Sequence, residues 1–117
     1  MAATTAAIPH PLPAPLVERI AERFRVLGEP MRISLLDFLR EGEATVRDLQ
    51  EATGASQQNV SKHLGVLLRA GIVGRRKRGN FSVYSIADPM VFSLCEEVCG
   101  GLRREADELG ALLSEGS

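Results

Sequence analysis

The chain has 117 residues, 25% of them charged, with 14 Lys and Arg against 15 Asp and Glu for a formal net charge of −1. That length suits one domain with a modest core, to which a second subunit would add useful stability. No run approaches the ~20 apolar residues of a membrane span and the start lacks a secretory leader's charged and apolar blocks, so the expected protein is soluble and cytoplasmic, with no membrane partner. Two isolated histidines, no Gly-rich phosphate loop and no nucleophile beside an evident base argue against an enzyme.

Residues 1 to about 15 are rich in Ala, Thr and Pro, with Pro9, Pro11, Pro13 and Pro15 alternating, and are expected to form a flexible arm that cannot sustain a helix. His10 lies in this arm, where a solvated role outweighs a metal-ligand one. The remainder, 16–117, reads as one folded domain. Val17, Ile20, Ala21, Phe24 and Leu27 recur at helical spacing and predict a first helix over about 16–27 with an apolar face. Pro30 can open a second helix, with Ile33, Leu35, Leu36, Phe38 and Leu39 filling the core before Gly42 ends it. Thr45 is a candidate cap for a short helix over 46–52 that stops at Gly54.

Ser56 can cap the next helix, in which Val60, Leu64, Leu67 and Leu68 form one apolar stripe. Its first two turns carry Gln57, Gln58, Asn59, Ser61 and Lys62, and amides at an exposed helix start are suited to paired hydrogen bonds with base edges. Ile72 to Arg76 and Phe81 to Ile86 read as strands joined by a basic turn, Lys77-Arg78-Gly79-Asn80. Tyr84 and Ile86 fall on one face of the second strand and Val83 on the other, predicting a half-buried strand with Tyr84 in the core. Helix, turn, recognition helix and hairpin make a winged helix-turn-helix: mostly α with a small β-hairpin wing, in the order α-α-α-α-β-β-α.

The charge distribution supports a polyanionic partner despite the near-neutral total. Between Glu51 and Asp88 there is no acidic residue, while Lys62, Arg69, Arg75, Arg76, Lys77 and Arg78 give +6, leaving −7 on the rest. In the wing Arg75, Arg76, Lys77 and Arg78 can each neutralise a phosphate, with Asn80 at the turn.

Leu27-Gly28-Glu29-Pro30-Met31-Arg32 with Leu35-Leu36, then Val46 and Asp48-Leu49, Ser56-Gln57, Val60-Ser61-Lys62-His63-Leu64, Leu67 and Ala70-Gly71-Ile72-Val73, resemble the signature of the ArsR/SmtB (arsenic-repressor) family of bacterial transcription regulators. The resemblance covers about residues 18 to 90. It implies a homodimeric repressor bound to a palindromic double-stranded operator and released by an effector, with helices at about 16–27 and 89–113 forming the dimer interface. It also places His63 on the DNA-binding helix, where packing or a phosphate contact is expected rather than metal ligation.

After Asp88-Pro89 a helical stretch carries Val91, Leu94, Val98 and Leu102, then Leu109, Leu112 and Leu113, interrupted by Gly100-Gly101. Two glycines there cost ~2 kcal/mol relative to alanines, so a kink or a close helix contact is expected. The only cysteines, Cys95 and Cys99, are four apart and so share a face. Three readings stand side by side. The thiolates bind a soft metal or metalloid, As(III), Cd(II) or Zn(II), with four sulfurs where two subunits meet. They act as a redox or persulfide switch. Or they simply pack, and sensing does not use cysteine. Helical i,i+4 pairs sit ~5 to 6 Å apart against the ~3.8 Å Cβ spacing of a disulfide, which favours a bridging ligand or longer sulfur chain. Compared with the family pattern, the Cys-Val-Cys site is replaced by Thr45-Val46-Arg47, and the His and Asp pattern of the last helix is missing apart from Asp88.

Overall fold

The computed structural model describes residues 7–115; the first six residues of the expected arm lie outside them. The chain divides after Ile86 into two compact units. The first contains α1 (Ala14–Leu27), α2 (Pro30–Leu39), β1 (Ala44–Thr45), α3 (Val46–Thr53), α4 (Gln57–Arg69), β2 (Val73–Arg78) and β3 (Phe81–Ile86). The second is built on α5 (Met90–Glu115).

Local chemistry sets most of the boundaries. α1 begins at Ala14, two residues earlier than expected, because Pro15 sits in the first turn, where its missing N–H has no intrahelical partner to lose. The Glu29 carboxylate accepts from the Met31 N–H at 2.6 Å and caps α2, with Pro30 at its start. α3 opens on a complete capping box: the Thr45 hydroxyl accepts from Asp48 N–H and the Asp48 carboxylate accepts from Thr45 N–H. Gly54 ends α3 in the left-handed region (φ 75°) and donates its N–H to Gln50 O at 2.7 Å, a conformation any side chain would strain.

The core of this unit gathers one side of each helix and the root of the hairpin. Leu35, Leu49, Val60, Leu64, Leu67 and Ile72 are fully buried, joined by Leu36, Leu39, Val73, Val83 and Tyr84. Each such leucine contributes ~1.5–3 kcal/mol by leaving water. Ile33 and Phe38, expected in the core, are 45% and 39% exposed: α2 turns only the face of Leu35, Leu36 and Leu39 inward.

The sheet has three antiparallel strands in the order β1-β3-β2, adding a two-residue strand to the expected hairpin. Ala44 pairs with Tyr84 and Thr45 with Val83. With strands on both sides, β3 buries Val83 as well as Tyr84, rather than one face only. β2 and β3 pair from Val73↔Ile86 to Arg78↔Phe81, so Lys77 and Arg78 belong to the strand and the turn is Gly79-Asn80 alone. Gly79 takes the positive φ (62°) and Asn80 does not share it.

α5 runs without a break through Gly100 and Gly101, a continuity the sequence left open. Val91 is its one buried residue, while Val98, Leu102, Leu109, Leu112 and Leu113 are each more than half exposed. α1 likewise exposes Val17, Ile20 and Phe24.

Candidate nucleic-acid interface

α4 presents two unlike sides. Val60, Leu64 and Leu67 are inaccessible, with Leu68 half-buried, and this stripe fixes the helix against the core. Gln57, Gln58, Ser61 and Lys62 are exposed and Asn59 is half-buried. Ser56 is committed to capping, its hydroxyl accepting from Asn59 N–H at 3.1 Å. A shallow hollow of about 410 Å³ opens along Ala55, Ser56, Gln58, Asn59 and Lys62. The turn leading to α4 is tied by Thr53, whose hydroxyl donates to Leu49 O and accepts from Ala55 N–H.

His63 faces the other way: of the two roles expected for it, packing and a phosphate contact, its 6% exposure fits packing, and it is not part of the exposed face of α4. Its Nδ1 lies 3.1 Å from Arg32 Nη1 and its Nε2 4.0 Å from Glu29 Oε2. Arginine has only donors, so Arg32 Nη1 donates in this pair and Nδ1 accepts. The same guanidinium donates through Nε to Val26 O at 2.6 Å and through Nη2 to Arg25 O at 3.3 Å. Arg32 therefore joins the last turn of α1 to the middle of α4.

The cations of β2 divide by strand parity. Arg76 and Arg78 share one face and converge on Glu43: Arg76 Nε and Nη2 reach the two carboxylate oxygens at 3.1 and 2.5 Å, and Arg78 Nη2 reaches Oε1 at 2.6 Å. Arg75 and Lys77 lie on the opposite face and form no ion pair with any described residue. An open groove of about 500 Å³ separates the start of α3, with Arg47 and Glu51, from Gln57 and the hairpin tip. Phe81 lines it and is 64% exposed. Sequence reasoning missed Glu43, Arg32 and Phe81; an aromatic beside a hairpin Gly-Asn turn is the one local signal that could have flagged Phe81.

Asp48 titrates below its ordinary range because the Thr45 backbone N–H, then the Thr45 hydroxyl, bond to its carboxylate. Cys99 is exposed and Cys95 half-buried, neither in a disulfide, one turn apart on α5. Among the described residues no group of three or more His, Cys, Asp or Glu could hold a metal ion, and His10 is exposed. Asp88 is engaged as a local cap, accepting from Met90 N–H at 3.1 Å. No helix among the described residues is long and apolar enough to cross a membrane.

Residues 27–76 match the family model described as a helix-turn-helix domain. An uncharacterized HTH-type transcriptional regulator of Mycobacterium tuberculosis is 37% identical over 102 residues, 86% of this chain and 90% of that one. The crystal structure of an M. tuberculosis protein, also 37% identical, superposes with a TM-score of 0.74 over 82% of this chain and 97% of its own. The solution structure of a homodimeric winged helix-turn-helix DNA-binding domain from Mycobacterium bovis, named a possible ArsR-family transcriptional regulator, is 28% identical with a TM-score of 0.69, covering 79% of this chain and 88% of that one. A Streptomyces lividans protein named a probable mercury resistance operon repressor is 42% identical over 63% of this chain and 59% of its own. With the winged helix-turn-helix in place and relatives of this kind spanning most of its length, the chain belongs to the ArsR/SmtB family of DNA-binding transcription regulators, which are not enzymes.

Proposed function

We propose that the protein is a cytoplasmic homodimeric repressor that holds a palindromic operator and releases it when a signal reaches Cys95 and Cys99. The observation that carries the first half is α4: a helix clamped by a fully buried stripe, displaying Gln57, Gln58, Asn59, Ser61 and Lys62 beside the cationic strand β2. The amides read bases; Lys62, Arg75, Arg76, Lys77, Arg78 and Asn80 position the duplex backbone. Dimerisation is supported by the exposed apolar faces of α1 and α5 and by the homodimeric M. bovis neighbour, and a two-fold dimer matches a palindrome.

For the signal, two thiols per chain would need a second subunit's pair to complete a closed site for As(III), Cd(II) or Zn(II), and the mercury-operon relative supports a soft-metal response. The exposure of Cys99 one turn from Cys95 supports a thiol-redox or persulfide response as the second reading.

A mobility-shift series across salt concentrations tests the DNA half: sequence-selective binding by the reduced, metal-free protein, weakening steeply as salt rises, is expected, and its absence overturns the proposal. The second half is tested by titrating the complex with As(III), Cd(II), Zn(II), peroxide and a polysulfide. Release of the wild type but not of Cys95→Ser and Cys99→Ser names the signal; equal release of all three removes the cysteines from sensing.

A further inference from the structure

Glu43 belongs to no helix or strand, yet it ties two side chains of the wing at once. Its carboxylate receives three donors from two guanidiniums on one face of β2, at 2.5 to 3.1 Å. The Arg76 contact is a two-pronged fork, the geometry guanidinium also makes with a phosphate. Arg76 and Arg78 remain 56% and 62% exposed, so an arriving polyanion can reach both without disturbing the core. Arg75 and Lys77, on the other face, have no such internal partner among the described residues. The wing thus holds two kinds of cation, two neutralised from within and two not.

We infer that Glu43 stands in for a DNA phosphate: it holds Arg76 and Arg78 in the free protein and competes with the duplex backbone for them, which makes it an affinity-limiting residue of the wing. This rests on the DNA-binding reading above. A cation that brings its own counter-ion displaces fewer ions from DNA, so Glu43 lowers both the affinity and its salt dependence. It also pre-orients the two side chains, which reduces the ordering that docking requires.

Phosphate contacts are indifferent to sequence, so a mixed-sequence duplex of roughly 20 to 30 base pairs serves as the probe, followed by anisotropy across a salt series. Glu43→Gln keeps the shape and removes the charge. It is expected to bind roughly three- to tenfold tighter at low salt, with a log K against log salt slope steeper by about 1. Glu41→Gln, two residues away with the same change in net charge, is expected to gain less and to leave the slope unchanged. In a background lacking both guanidiniums, Arg76→Gln with Arg78→Gln, the Glu43→Gln gain should vanish.

An equal gain in Glu41→Gln would assign the effect to net charge and overturn the inference. Unchanged or weaker binding by a Glu43→Gln protein of wild-type melting temperature would make Glu43 a plain anchor of the wing, also overturning it, while leaving the DNA-binding reading intact. A wild type with no salt-dependent binding to any duplex would remove both.

Discussion

α4 and α5 are both amphipathic helices with a leucine-rich stripe, and the structure treats them oppositely. In α4 the stripe of Val60, Leu64 and Leu67 is wholly inaccessible in the single chain. In α5 Val98, Leu102, Leu109, Leu112 and Leu113 stay more than half exposed over a 26-residue helix. The same pattern therefore has two meanings: one helix is held by its own chain, while the other leaves its apolar face exposed, the face proposed above to meet a second copy. The position of α4 should be a property of the subunit, and the burial of α5 a property of the dimer.

The strongest way to break this comparison is Leu64→Ala, expected to cost ~2–5 kcal/mol through the cavity left at a fully buried position. Denaturant unfolding should show this loss at every protein concentration. Leu102→Asp should instead leave subunit spectra unchanged and weaken self-association, by at least the ~1.5–3 kcal/mol of one buried leucine. Sedimentation at micromolar concentration reads it directly; an unaltered dimer would place the interface elsewhere.

Gly54→Ala sharpens the comparison at the turn that aims α4. Alanine in the left-handed region costs ~1 to 2 kcal/mol, and the expected loss of thermal stability should be independent of concentration. The smallest effect is in acid. The folded-state pKa of Asp48 is lowered, so its stabilisation is fully present above the unfolded value and is lost as pH falls through the folded one. Wild type should thus begin to lose the α3 cap only below about pH 4. Asp48→Asn should flatten this part of the pH–stability curve.

What could be read in advance was what is decided within a few residues. Thr45 and Ser56 as caps, Gly54 as a stop and Gly79 as a turn each act on their own neighbourhood, and all four behave as their chemistry dictates. β1 was invisible because two residues form a strand only by pairing with β3, about forty positions on. Glu43 meets Arg76 and Arg78 across 33 and 35 residues, and Arg32 meets His63 across 31. No local pattern announces such pairs. His63 shows the cost: the sequence left packing and a phosphate contact open for it, and only the helix phase, which turns it inward, decides for packing.

Arg32 carries a consequence for how this protein can vary. One planar group serves acceptors on two helices, the Arg25 and Val26 carbonyls and the His63 ring, from three different nitrogens. A lysine would preserve the charge but offers a single nitrogen, which cannot stand at three places at once. Position 32 is therefore intolerant in an unusual sense: it demands a shape, not a sign. A sequence that drifted to lysine there would release either the end of α1 or its hold on α4, and the two helices would lose their shared reference point while the net charge stayed the same.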